Sequence, residues 1–488
     1  MNILPSLHLI QDMAAAGNYD VLPVSCELLS DFITPIEALK ILKHISSRCY
    51  LLESAVSNET WGRYSFLGFD PKLEITCTNG LLKAGSLTVH TDNPSAVIRQ
   101  ILSEYKSPRF DYLPPFTGGL AGYFSYDYFG YSEPSVRSDS KNDDSSKDLD
   151  LMLFDKVITF DHVRQKIILM VNMSLTDPET SYNKAVLELE QLTELLKNGK
   201  KETRLTGKLL GAVTPLFDKE AFCSMVEEAK LHIREGDIFQ IVLSNCFHAP
   251  FEGSLLQTYR ILRTLNPSPY MFYFSGTDLE AAGASPETLV KLENGVLRTF
   301  PLAGTRPRGK NEEEDQKLEE QLLTDEKELA EHNMLVDLGR NDLGKISRFG
   351  TVQVERFHSI QRFSHVMHIG SAVRGELDSR YDALDAIEAV LPAGTLSGAP
   401  KIKACQLIDQ LEQHKRGIYG GAIGYIDFAG NMDTCIAIRL AYQKNGRVFV
   451  RSGAGIVADS IPEKEYEECL NKARSSLKAL ELAQEDLI

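Results

Sequence analysis

Four glutamates set out the chemistry this chain could perform. Glu328 and Glu331 lie three residues apart in TDEKELAEHNMLVDLGRNDLG, and Glu465 and Glu468 repeat the spacing in EYEECLNKA. On a helix, residues three apart are neighbours on one face. A helix over roughly 325–338 puts Asp325, Glu328 and Glu331 in line with the apolar Leu335 and Leu338, so its acids turn toward a core stripe. In the second segment Lys472 follows Glu465 at i+7, on the same face. An unpaired buried carboxylate is costly. Hard oxygen ligands without histidine at metal spacing suit magnesium, which takes one or two protein carboxylates and fills its shell with substrate and water. Solvated charges, or an acidic first turn complementing the helix dipole, serve the same spacing. Both readings stand at this level.

Two other patterns invite chemistry and lose it in context. Gly453 to Ala458 matches a dinucleotide fingerprint, but only about 30 residues follow it, too few for a βαβ unit with its ribose-binding acid. These glycines read instead as allowing close backbone approach to a small ligand. His365 and His368 fall in a strand-like run, 362–373, where residues three apart point to opposite faces, so they do not form a metal pair.

The elements that must position these groups are legible in outline. Ser460, Pro462 and Glu463 spell a capping box with a helix-initiating proline. Phe222, Met225, Val226, Ala229 and Ile233 mark a helix over 219–235 that stops at Gly236, with a strand over 238–247 following. Residues 157–160 and 167–171 flank a polar turn as a hairpin does. Residues 132–150 read as a polar surface loop, and leucines through 185–196 mark a helix before a Lys-, Gly- and Thr-rich stretch, 198–214. That stretch divides a region 1–200 from a region 215–485. Strands and helices come in runs rather than strict alternation, which predicts an α+β fold with antiparallel sheets.

Composition bounds the partners. The chain has 488 residues, 43% hydrophobic and 25% charged, with a formal net charge of −16. Such an acidic balance argues against nucleic acid. An anionic substrate would need a bound cation or placed Arg and Lys residues. No run approaches the roughly 20 apolar residues of a membrane span, and the start has no signal-peptide pattern. The eight scattered cysteines, with no Cys-x-x-Cys pair, read as reduced core thiols. A cytoplasmic enzyme is the expectation.

Longer blocks of the chain carry a resemblance. LPAGTLSGAPK (391–401), RGIYGGAIGYIDFAGNMDTCIAIR (416–439), GAGIVADS (453–460) and EYEECLNKA (465–473) resemble the signature blocks of the chorismate-utilising enzymes, over about 217–482. Ala303 in PLAGTRPRG stands where aminodeoxychorismate synthases carry a nucleophilic lysine. Gln240 stands where isochorismate and salicylate synthases carry a lysine that activates water. Both departures point to the anthranilate synthase branch. The resemblance implies a sandwich-like core of antiparallel sheets with helices outside, magnesium on Glu331 and Glu468, and Glu328 and Glu465 holding its waters. It implies chorismate gripped by Tyr419 and Arg439, with Gly304, Thr305, Gly453, Ala454 and Gly455 lining the pocket. Glu287 becomes the acid that protonates the departing hydroxyl, joined by Thr395, His368 and Lys472.

LLES (51–54), with Ser65 beyond it, and NPSPYMFY (266–273) resemble the tryptophan-feedback segments of that branch, and aminodeoxychorismate synthases hold tryptophan in a similar pocket, so the resemblance supports the two together. They imply an inhibitor site at Glu53, Ser54, Pro269, Tyr270 and Met271. No amidotransferase is recognisable in the chain, so glutamine use would need a separate small subunit that supplies ammonia. The rival readings are another chorismate enzyme, aminodeoxychorismate synthase first, and a non-catalytic tryptophan sensor.

Overall fold

The computed structural model describes residues 2–55, 62–137, 140–142, 145–362 and 366–484. Runs of branched and aromatic residues form its strands, because such side chains fit a pleated, covered surface. In Lys166–Ser174 every residue from Ile167 to Met173 is buried, so both faces of that strand are covered. It forms the expected hairpin with Lys156–Asp161, Ile158 opposite Leu169.

Among the described residues the strands make two sheets, of 14 and 12 strands, and all their pairings are antiparallel. The inner faces meet in an aromatic layer. Tyr50, Phe66, Phe272 and Phe449 of the first sheet meet Tyr123, Phe154 and Tyr425 of the second. Tyr50 meets Phe154 edge-on with ring centroids 4.8 Å apart, and Phe66 meets Tyr425 at 5.7 Å. Such tilted pairs suit the ring quadrupoles. Helices Pro35–Ile45, Pro178–Asn198, Leu256–Leu265 and Pro462–Leu482 cover the outer face of the first sheet. Helices Pro94–Leu102, Glu326–Gly344 and Ala383–Val390 cover that of the second. This is the expected α+β sandwich with helices outside. No described helix is long and apolar enough to cross a membrane.

Three expectations need correction. The stretch 198–214 is not a boundary between the sheets. Cys49–Glu53 pairs with Tyr270–Ser275, and Gly119–Phe124 pairs with Ala422–Asp427, so strands from both sides of it alternate in both sheets. Gly207–Leu209, within the stretch, is itself paired to Gln240–Gly253. Residues 132–150 are not simply a solvated loop: Leu149 begins a buried strand, and Asp148 and Asp150 are buried with Tyr131 and Lys147 as partners. The run 362–373 is not one strand: Arg362 ends the strand Gln353–Arg362 and lies opposite Met367 of the antiparallel strand Val366–Glu376. His365 lies outside the described residues.

The glycines of the 416–439 block explain themselves in the sheet. Gly424 sits opposite Gly122, and a Cβ at Gly424 would lie 2.0 Å from the carbonyl oxygen of Asp433. Backbone cannot yield there without breaking the strand pairing. Gly424→Ala should therefore lower stability by about 3 kcal/mol, read as an earlier midpoint in denaturant unfolding.

Candidate active site

A cavity of about 570 Å3 lies between the Glu326–Gly344 and Pro462–Leu482 helices, walled by strands Gln240–Gly253 and Arg447–Ile456 and by the paired strands Leu302–Pro307 and Val366–Glu376. The first helix begins at Asp325, whose carboxylate accepts the Lys327 and Glu328 N–H groups at 3.1 and 3.3 Å. That cap satisfies donors a helix start leaves open. Asp325 also pairs with Arg306 at 2.8 Å, so it serves the helix and not the cavity. The second helix departs from expectation. Its cap position is Ile461, with no side-chain cap, and Pro462 starts it. Ser460 instead accepts the Val457 N–H at 3.1 Å and is buried, because its hydroxyl closes the preceding turn.

Glu328, Glu331, Glu465 and Glu468 all line the cavity. Burial, and then the neighbouring Glu328, raises the Glu331 carboxyl above its usual range, against Lys327, Lys472 and a hydrogen bond with Gln240. Burial raises Glu465, with Glu468 adding and the Ser460 hydroxyl opposing. Lys472 pairs with Glu468 at 2.7 Å and donates to the Gly453 carbonyl at 3.0 Å. Carboxylates raised by burial and by one another form a donor set that a hard cation would relieve. The residues present fit a divalent ion held by one carboxylate from each helix. Among the described residues, no three of these glutamates bring their oxygens within 4.8 Å of one another.

Opposite the carboxylates lies a different environment. Burial pushes Glu287 up to about 8, countered by the Thr395 hydroxyl, Arg439 and Lys472. Thr395 donates to both Glu287 oxygens at 3.3 Å. A carboxyl in this state carries its proton at neutral pH and can deliver it. Arg439 holds a left-handed backbone, φ 52°, rare for a non-glycine residue, and such outliers cluster at functional sites. Tyr419 is buried and its phenol pushed up, so it remains a neutral donor. His368 lies directly across from Thr305 on the neighbouring antiparallel strand, and its Nδ1 donates to the Gly304 carbonyl at 2.9 Å, leaving Nε2 as the acceptor nitrogen. Burial holds that imidazole below its ordinary value, hence neutral.

Glycine gives the cavity its space. A Cβ at Gly453 would come within 3.0 Å of the Tyr419 hydroxyl, and one at Gly455 within 3.0 Å of the Gln240 amide. Gly304, at φ +65°, would press a Cβ to 3.1 Å from Glu328. Ala454 is the exception in this run. Strand alternation turns its side chain away from Gly453 and Gly455 into the apolar cluster of Phe222 and Ile241. Arg451 and Lys327 also line the cavity, and sequence reasoning passed over both. Arg451 stands two residues before Gly453 on the same strand face, a signal available from alternation alone.

The inhibitor segments are neighbouring strands, with Glu53 in register with Met271 and the Ala55 N–H bonded to the Ser268 carbonyl at 3.0 Å. Glu53 is buried and engaged by Arg263 at 2.7 Å and Tyr259 at 2.6 Å. Glu53 and Met271 share one face of the sheet. Tyr270 turns to the other, where its hydroxyl meets Thr288 and Asp433 at 2.9 and 2.8 Å. The expected side-chain set therefore divides across the sheet, because residues one apart in a strand face opposite ways.

The chorismate binding enzyme family profile matches residues 47–478 of this chain. Anthranilate synthase component 1 of Acetivibrio thermocellus is 44% identical, covering 99% of each chain. The protein of that name from Aquifex aeolicus is 43% identical, again over 99% of each. The crystal structure of anthranilate synthase component I from Streptococcus pneumoniae superposes with a TM-score of 0.78 at 37% identity, covering 92% of this chain and 98% of that one.

The state of Glu287 is testable without any ligand. Its folded value, about 8, lies above the ordinary 4.5, so the folded chain binds more protons between these limits. The stability this contributes is full below about 4.5 and is lost as pH rises through about 8. Urea unfolding from pH 5 to 8.5 should show the parent losing stability relative to Glu287→Gln, whose amide does not titrate. Parallel pH profiles would mean that Glu287 is ionised throughout.

Proposed function

We propose that this chain, which belongs to the chorismate binding enzyme family, converts chorismate and ammonia to anthranilate, pyruvate and water, the first committed step of tryptophan synthesis, in the cytoplasm. The observation that carries the reading is a buried Glu287, its carboxyl pushed up to about 8 by burial, sharing one cavity with Arg439, Lys472 and two pairs of glutamates. Ala303 and Gln240, where relatives with other chemistry need a lysine, offer no nucleophile and no strong base, and Gln240 is spent on Glu331. That leaves an external amine as the attacking group.

Charge supports the same substrate. Glu287, Glu328, Glu331, Glu465 and Glu468 line the cavity beside Lys327, Arg439, Arg451 and Lys472. With Glu287 protonated the rest balance, and a divalent cation then makes the cavity match a dianion. A magnesium ion on Glu331 and Glu468, with Glu328 and Glu465 on its waters, would neutralise and orient the ring carboxylate. Tyr419 and Arg439 bind the pyruvyl carboxylate, while the backbones at Gly304, Thr305, Gly453 and Gly455 let the ring approach closely. Ammonia attacks C2 as Glu287 gives its proton to the C4 hydroxyl, which leaves as water. Thr395 keeps that carboxyl aimed. His368, neutral and with Nε2 as acceptor, is placed to hold a donor in the cavity. Loss of the C2 proton then breaks the bond to the enolpyruvyl oxygen, making the ring aromatic, and the released enolpyruvate takes up a proton to become pyruvate.

Ammonia would come from glutamine through a separate small amidotransferase subunit. Tryptophan would inhibit from the strands carrying Glu53 and Ser54 on one side and Pro269, Tyr270 and Met271 on the other. Both segments belong to the sheet that also supplies two cavity walls, so tryptophan and chorismate should weaken each other by one common factor.

The purified chain given chorismate, magnesium and an ammonium salt should release fluorescent anthranilate with equimolar pyruvate, and should fail with glutamine alone. An amino product that keeps the pyruvyl group would assign a different chorismate enzyme. Its kcat should fall as pH rises through about 8, where Glu287 ionises. Glu331→Gln and Glu468→Gln should each abolish turnover while the chain stays folded, by losses of several kcal/mol; near-normal turnover at saturating magnesium would reject the metal assignment. Ser54→Ala should relieve tryptophan inhibition and leave uninhibited turnover intact, and an unchanged tryptophan response would move the regulatory site elsewhere.

A further inference from the structure

Behind the cavity lies a buried ion network that touches no reacting group. Arg416 is 2% exposed and Glu412 1%. The guanidinium donates to the Leu396 carbonyl at 2.6 Å and to the Val242 carbonyl at 2.7 Å. It also bonds Glu412 through Nε at 3.0 Å and Nη2 at 2.5 Å, and lies over the Tyr126 ring at 4.7 Å from its centroid. Glu412 accepts in turn from the Ser244 N–H at 2.7 Å and its hydroxyl at 3.0 Å, and from Arg451 at 3.4 Å. Arg416 itself is outside the cavity lining, yet Val242, Leu396, Tyr419 and Arg451 all belong to it.

We infer that Arg416, braced by Glu412, is a positioning residue: its guanidinium ties the Val242 and Leu396 carbonyls to one point, Glu412 extends the tie to Arg451, and the arrangement aims Thr395 at Glu287. Every segment it grips ends on a group the proposed chemistry uses. Leu396 follows Thr395, whose hydroxyl donates to Glu287. Val242 is two residues from Gln240, on the same strand face. Tyr419 lies in the turn that Arg416 opens, and Arg451 leads to Gly453 and Gly455. The planar fork is what allows two carbonyls and a carboxylate to be held at fixed angles at once, which a lysine ammonium cannot do. A stability role alone would not require both carbonyl contacts to fall on cavity walls. The inference extends the proposed function but does not need it, because its central contact, Thr395 to Glu287, exists without substrate.

The Glu287 carboxyl is the reporter. Arg439, Lys472 and Thr395 lower its pKa, and His368, Glu331 and Glu468 line the same cavity. Loosening Thr395 removes a contribution that holds the value down, so the Glu287 pKa should rise. It can be followed by infrared difference spectroscopy against Glu287→Gln, with no turnover required. Thr395→Val should shift the titration upward. Arg416→Lys, folded by its unfolding transition, should shift it the same way and lower kcat/KM at least about tenfold, since small misplacements of a catalytic contact have large effects on rate. In Arg416→Lys combined with Thr395→Val, the second change should add no further shift, since both act through one hydroxyl. A folded Arg416→Lys with an unmoved Glu287 titration, or shifts that add in the double variant, would overturn the assignment. Should Arg416→Lys fail to fold, Glu412→Gln reads the same quantities; failure of both to fold would reduce the network to a purely structural role. The parent's own product tests the proposed function separately, so either idea can fail alone.

Discussion

Burial of carboxylic acids without enough positive charge to ionise them all is the constraint on which this structure turns. Glu287, Glu331 and Glu465 are all raised above the ordinary carboxylate range, and desolvation is the leading cause each time. What surrounds them separates their roles. Glu287 faces a hydroxyl and two cations at a distance and remains a proton donor. On each of the two helices one glutamate of the pair pushes the other's carboxyl up, a repulsion that a bound cation would relieve. One cavity thus sets Glu287 beside the two glutamate pairs.

A rigid frame is needed to hold like charges together against repulsion, and the sandwich supplies it. The aromatic layer between the sheets fixes their spacing, and helices on both outer faces close the core. The two carboxylate helices belong to different layers: Glu326–Gly344 rides on the second sheet and Pro462–Leu482 on the first. The cavity exists only because the sheets bring those helices together. The Arg416–Glu412 network reinforces the arrangement where strand, turn and helix termini converge, with Arg416 donating to two backbone carbonyls and Glu412 accepting from Ser244 and Arg451. A buried ion pair is weak evidence for stability as such, and better evidence for specifying one geometry.

Both sheets draw strands from each side of residues 198–214, so the segments that resemble a feedback site are hydrogen-bonded into the sheet that walls the cavity. Tyr270 reaches through to Thr288, the residue after Glu287. A ligand that displaced the Tyr270–Ser275 strand would therefore act on groups beside Glu287 through packed contacts, without a separate domain movement.

Much of this was legible in the residues themselves. The i, i+3 glutamates, the helix over 219–235 with its Gly236 stop and the hairpin at 157–171 are local patterns, set by helical and strand periodicity and by the left-handed freedom of glycine. The signature blocks pointed to the family, and the structure gathers their polar residues around one cavity. Ser460 spells a cap, yet its hydroxyl goes to the Val457 N–H and to Glu465, a choice among local partners that spacing alone does not settle. What else the sequence left open depends on distant chain. A polar, Gly-containing stretch reads as a domain boundary, yet hydrogen bonding between strands far apart in sequence carries the sheets across it. Tyr270 and Met271 are adjacent in the chain and opposite in space. The proton on Glu287 is likewise a tertiary fact: a carboxyl's type is written in the sequence, but its desolvation and the distance to Arg439 and Lys472 arise only when both sheets and both helices have come together.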